Sequence, residues 1–267
     1  MDRLSRLFQE KQQDILNIYF TAGYPNLQDT ETIIHSLEKS GVDLIEIGMP
    51  YSDPMADGPT IQESGDAALL NGMTLEILFD QITAVRKKSD VPLIMMGYFN
   101  QMMQYGELRF LKKCKEVGVD GLILPDLPLE VYETEYKALF EEMGLHIIFL
   151  ITPQTPDARI HKIDSFSSPF IYMVSNAAIT GAKVGISDTQ ISYFERIQKM
   201  GLQNPRLIGF GISNYETYRT ACDYSSGAII GSAFIKALKD AENLEERIED
   251  FVNSVKGTTL HATNTTD

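Results

Sequence analysis

The stretch Gly41-Val42-Asp43-Leu44-Ile45-Glu46-Ile47-Gly48 carries the chain from the end of a helical pattern into a short apolar run, and it recurs. Gly118-Val-Asp-Gly-Leu-Ile-Leu-Pro125 and Gly144-Leu-His-Ile-Ile-Phe-Leu150 repeat the arrangement farther along. A helix C-terminus often closes through a left-handed residue, which glycine adopts without steric penalty, and a β-branched apolar run suits a strand buried on both faces. The three junctions read as αβ turns leading into a parallel sheet.

Outward from these junctions, apolar runs predict strands at 15–20, 43–48, 92–96, 120–124, 145–150, 169–174, 206–209 and 227–230, each followed by a helical pattern. Helix 28–40 repeats Ile33, Ile34 and Leu37 at helical spacing, and helix 74–88 repeats Leu75, Leu78, Ile82 and Val85. Eight βα units in 267 residues leave about 33 residues each, close to a minimal strand and crossover helix. The fold class is α/β, a (β/α)8 TIM barrel, with an extra N-terminal helix whose Leu4, Leu7 and Phe8 plug the barrel floor. A doubly wound open sheet is the alternative, but Tyr19-Phe-Thr-Ala-Gly-Tyr-Pro25 holds one glycine where a dinucleotide fold needs G-x-G-x-x-G. With no linker or shift of composition, residues 1–257 are expected to form one phosphate-binding barrel and 258–267 a disordered polar tail.

Composition narrows the function classes. Hydrophobic residues at 43% and charged residues at 22% fit an ordinary globular chain and exclude disordered or collagenous classes. A net charge of −14 repels nucleic acid and anionic membrane surfaces. A small phosphate ester is not excluded, because backbone N–H groups act at close range. Cys114 and Cys222 are far apart without C-x-x-C spacing and read as buried free thiols. His35, His146, His161 and His261 lack metal-ligand spacing, so no metal is expected. Neither a signal peptide nor a membrane span is legible, and the expected location is the cytoplasm.

A barrel places its chemistry at the strand C-termini, where a polar residue inside an apolar run stands out. Glu46 does so in Leu44-Ile-Glu46-Ile-Gly48, on the same strand face as Leu44. A carboxyl inside a barrel should have its pKa raised toward the range of a general acid/base; the competing reading is a packed, ion-paired Glu. The next loop holds Pro50, Pro54 and Pro59 with Asp53 and Asp57, a stiff stretch suited to positioning side chains, although Asp before Pro or Gly also serves as a simple turn former. Glycines in Ala178-Ile-Thr-Gly181, Gly209-Phe-Gly-Ile-Ser213 and Gly231-Ser-Ala233 follow the last three predicted strands, where barrel phosphate sites are commonly built.

The run Glu46-Ile-Gly-Met-Pro-Tyr-Ser-Asp-Pro-Met-Ala-Asp-Gly-Pro-Thr-Ile-Gln62 closely resembles the signature of the tryptophan synthase alpha subunit family. The likeness extends through Phe20-Thr-Ala-Gly-Tyr-Pro25, Pro125-Asp-Leu-Pro128, Gly209-Phe-Gly-Ile-Ser213 and Gly231-Ser-Ala233, leaving out the extreme termini. It implies retro-aldol cleavage of indole-3-glycerol phosphate to indole and glyceraldehyde 3-phosphate, with no cofactor on this chain. By resemblance Glu46 is the general acid/base, Asp57 engages the indole N–H, and Tyr172 assists near Glu46. Tyr19, Ile61, Met96, Ile123, Phe210 and Ile229 line an apolar slot, and Thr180 belongs to a closing loop. Gly181, Gly211, Gly231 and Ser232 hold the phosphate. The resemblance further implies an αββα complex with a pyridoxal-phosphate beta subunit that receives indole through a tunnel, docking near Pro50, Asp53 and Pro54, and a poorly active isolated monomer.

One stretch departs from the family pattern: Ser175-Asn176-Ala177-Ala178-Ile179-Thr180-Gly181 has Asn where a basic residue is common and Ala where Gly is common. Both changes bear on loop closure. Two rival readings are another aldolase or isomerase of a phosphorylated sugar, which the Glu46 and Asp57 pair with an apolar slot argues against, and a mainly regulatory subunit that binds the ligand and turns over little.

Overall fold

A computed structural model of the chain describes residues 1–54, 57–175, 186–209 and 211–258. Its strands are β1 (Ile15–Thr21), β2 (Leu44–Gly48), β3 (Leu93–Met96), β4 (Gly121–Ile123), β5 (His146–Ile147), β6 (Leu150–Ile151), β7 (Ile171–Val174), β8 (Arg206–Gly209) and β9 (Gly227–Ile230). They pair in parallel in the order β5-β4-β3-β2-β1-β9-β8-β7-β6.

β5 and β6 share the run that the sequence presents as one strand, 145–150. Its backbone pairs on one side and then the other: Ile148 N donates to Leu122 O at 3.0 Å, whereas Tyr172 N donates to Phe149 O at 3.0 Å. Pairing passes from β4 to β7 in mid-run, so neither neighbour alone supports a long ladder and the strand divides. Because that run joins both ends of the sheet, the sheet closes into the barrel expected from eight βα units.

Side chains alternate between two cores. Ile15, Leu44, Ile94, Ile123, Leu207 and Ile229 fill the barrel, and the intervening Leu16, Ile18, Ile45, Ile47 and Met95 pack outward under the helices. Helices Asp29–Lys39 and Leu75–Val85 lie within the predicted spans, each slightly shorter at both ends. Gly118 and Gly144 close their helices at φ +84° and +67°, as the αβ turns require.

The helix Arg3–Glu10 covers the floor of the barrel, with Leu4 fully buried among the interior residues and Phe8 stacked on Phe170 at 5.3 Å. Polar ties fix it there. Arg3 and Arg86 both reach the Asp120 carboxylate, at 3.2 and 2.7 Å, and Leu93 N donates to the same carboxylate at 2.9 Å. Asp2 caps the helix through Ser5 N and also meets His146 at 3.0 Å. These bonds hold the Asp2 carboxyl down to about 2 against the opposing effect of burial. Cys114 and Cys222 are buried and unpaired. Apart from Thr258, the expected tail 258–267 lies outside the described residues, as does His261.

Candidate active site

Glu46 follows from strand alternation: Leu44 faces the barrel interior, so Glu46, two residues on, does too. The side chain is fully buried. Its Oε1 accepts from Asn17 Nδ2 at 2.5 Å, while Oε2 has no hydrogen-bond partner among the described residues. Burial pushes the carboxyl up to about 8, with the Asn17 donor pulling the other way. A carboxyl in this range is protonated at neutral pH and can still give up and regain a proton.

Two tyrosines flank it. Tyr19 of β1 is the register partner of Glu46, and Tyr172 of β7 is buried across the interior. Burial raises both phenols above their ordinary value, and the neighbouring Asp57 and Glu46 charges raise them further. Each ring lies over a glycine. A Cβ on Gly48 would collide with the Tyr19 hydroxyl, and one on Gly209 with that of Tyr172. The strand-end glycines of β2 and β8 thus make room for the two rings.

Asp57 lies just before the helix Pro59–Leu70, and its Oδ2 accepts from Tyr98 OH at 3.1 Å. Partial burial raises its pKa, and the Tyr98 hydroxyl opposes that rise. The segment after β3 braces the start of the acidic loop: Gln101 Nε2 donates to Pro50 O at 2.9 Å, Asn100 Nδ2 to Tyr51 OH at 2.8 Å, and the Tyr51 and Tyr98 rings stack at 5.0 Å. Gln62 Nε2 reaches back to Asp57 O at 2.8 Å. Neighbouring amides and a ring stack thus hold Pro50, Tyr51 and Asp57, in addition to the prolines that the sequence displays.

Ile123 and Ile229 are buried in the barrel interior, and Met96 packs against them, partly exposed. Ile61, in the first turn of Pro59–Leu70, is partly exposed and joins neither core. The ends of the last strands are paired: Ser175 N donates to Gly209 O at 3.0 Å, and β8 pairs with β9. Gly211 adopts φ +82°, and Gly231 precedes the short helix Ser232–Leu238 with Ser232 exposed. Thr180, Gly181 and Phe210, together with Asn176 and Ala178, lie outside the described residues. A cavity of about 380 Å³ opens elsewhere, bordered by Leu127, Leu150 and Thr155; it includes neither acid.

The sequence reading missed Asn17 and Tyr98. Asn17 was visible by the criterion that found Glu46, a polar residue in an apolar run, but it lies deeper than the strand end. Tyr98 carries no local signal, because its contact with Asp57 spans two βα units.

The family model for the tryptophan synthase alpha chain matches residues 4–263. The tryptophan synthase alpha chain of Flavobacterium johnsoniae is 58% identical, over 96% of this chain and 100% of its own length. The fold matches the tryptophan synthase alpha subunit of Legionella pneumophila at 28% identity and a TM-score of 0.87, covering 96% of this chain and 98% of that one. It also matches a chain of the Pyrococcus furiosus tryptophan synthase complex at 32% identity and a TM-score of 0.84, covering 92% and 99%.

Proposed function

The chain belongs to the tryptophan synthase alpha chain family, lyases that cleave indole-3-glycerol phosphate to indole and glyceraldehyde 3-phosphate, and from that premise we propose that Glu46 is its proton-transfer group and Asp57 its ring-nitrogen partner. In this retro-aldol cleavage, indole C3 gains a proton and the ring nitrogen carries developing positive charge. The electron pair of the breaking bond then returns to the ring, and the glycerol hydroxyl loses its proton as its carbon becomes the aldehyde. No proton is gained or lost overall. A single group that donates first and accepts second therefore suffices, and a carboxyl near 8 begins the cycle in the donating form.

Asp57, less deeply buried and held by Tyr98, is the ionised member of the pair and stabilises the charge on the indole nitrogen. Tyr172 assists beside Glu46, and Tyr19, Ile61, Met96, Ile123, Phe210 and Ile229 hold the indole, with Thr180 on the closing loop. Gly181, Gly211, Gly231 and Ser232 take the phosphate through backbone N–H groups and one hydroxyl. The observation that carries this reading is a fully buried, high-pKa carboxyl in the barrel interior, with a second acid, Asp57, acting on the same two tyrosines, Tyr19 and Tyr172.

The partner is a beta subunit, in an αββα assembly, which carries the pyridoxal phosphate and consumes the indole; this chain needs no cofactor. Docking uses Pro50, Asp53 and Pro54. The setting is cytoplasmic; among the described residues no helix is long and apolar enough to cross a membrane. Indole release from indole-3-glycerol phosphate tests the reading, by the chain alone and with a beta subunit. Slow release alone and faster release in the complex are expected, and an unchanged rate would refute the partner.

A further inference from the structure

Asn17 lies inside the barrel on β1, on the inward face with Ile15 and Tyr19, and it is fully buried. Its Cα is paired with Leu44 on β2 and Ile229 on β9, one layer deeper than the Tyr19 and Glu46 pair. An apolar side chain there would match the surrounding core without the cost of burying an amide. The amide is nevertheless engaged on one side only: Nδ2 donates to Glu46 Oε1 at 2.5 Å, while Asn17 Oδ1 and Glu46 Oε2 have no partner among the described residues.

We infer that Asn17 is a positioning residue for the lyase reaction, holding Oε1 of Glu46 from the floor side so that Oε2 is the oxygen presented to substrate. The inference rests on the proton-transfer role proposed above for Glu46. Two features of an amide suit the task. Its N–H donates to a carboxylate, and after a half-turn of the side chain its carbonyl accepts from a carboxylic acid, so contact survives both halves of the proton cycle. Donation to the carboxylate also offsets part of the burial that keeps Glu46 protonated, leaving it a stronger acid toward indole C3 than burial alone would.

The test uses Asn17→Leu, similar in volume but without polar atoms, and Asn17→Asp, nearly isosteric, with Glu46→Gln measured alongside. Folding is checked by circular dichroism, and kcat, KM and the pH profile of kcat/KM come from indole release. Losing the N–H donor disfavours the carboxylate, so the protonated form of Glu46 persists to higher pH. In Asn17→Leu the basic limb should move up by about one pH unit or more. Its kcat should fall on the order of tenfold while KM changes little. Asn17→Asp, which sets a second carboxyl against the first, should move the limb the same way even if the leucine variant fails to fold. An unmoved limb in a folded Asn17 variant, with Glu46→Gln inactive, would overturn the role of Asn17 and leave that of Glu46 intact. Activity in Glu46→Gln would instead overturn the underlying reading.

Discussion

Replacing Glu46 by Gln should stabilise the fold as pH rises. The folded chain keeps a proton on Glu46 up to about pH 8, whereas the unfolded chain releases it near the ordinary value of 4.5. Between those values the unfolded state binds fewer protons than the folded state, so wild-type stability falls with rising pH, by about 1.4 kcal/mol for each pH unit. From pH 5 to pH 8 this amounts to roughly 4 kcal/mol, a large part of a domain's stability of about 5–15 kcal/mol. The Gln variant has no such dependence at this position. It keeps an acceptor for Asn17 Nδ2, and its extra amide protons add a cost that is the same at every pH. The informative quantity is therefore the change with pH in the difference between the two proteins. Urea unfolding at several pH values from 5 to 8.5, with equal m-values, measures it. The variant should gain about 4 kcal/mol on the wild type across that range. A difference constant to within about 1 kcal/mol would mean that Glu46 titrates normally in the fold, and the argument from burial would fail.

Asp57→Asn should lower kcat on the order of a hundredfold by removing charge from beside the ring nitrogen; an effect confined to phosphate affinity would refute its assignment. Tyr98→Phe removes a donor to the Asp57 carboxylate, so the Asp57 pKa should rise further. The acidic limb of kcat/KM should then move up, by less than about one pH unit; an unmoved limb would detach that limb from Asp57. On the floor, Asp120→Asn leaves the largely buried Arg86 without its ion pair, and the loss measured by urea unfolding should be about 3 kcal/mol or more, with kcat nearly unchanged.

The barrel was legible because its signals are local. Helix-closing glycines at Gly118 and Gly144 and apolar runs such as 206–209 and 227–230 depend on neighbours in sequence. The division of 145–150 was not, since it arises where backbone pairing passes from β4 to β7, a property of closure rather than of composition. Glu46 was legible because a carboxylate in an apolar run is costly wherever the chain goes. Asn17 obeyed the same rule one layer deeper. The bracing of Asp57 by Tyr98, of Pro50 by Gln101 and of Tyr51 by Asn100 was hidden, because those contacts join loops about 40 to 50 residues apart in sequence and no periodicity encodes them. Extra helices such as Phe99–Tyr105 escaped for a related reason: they are held by what they pack against more than by propensity.

The central claim is that one buried carboxyl moves the proton that breaks the carbon–carbon bond. Single-turnover release of indole from indole-3-glycerol phosphate by Glu46→Gln, in a variant shown by circular dichroism to be folded, tests it most directly. The amide keeps the shape and the Asn17 contact but cannot transfer a proton, so release should fall to about one-hundredth of wild type or below. Release above about one-tenth of the wild-type rate would contradict the account.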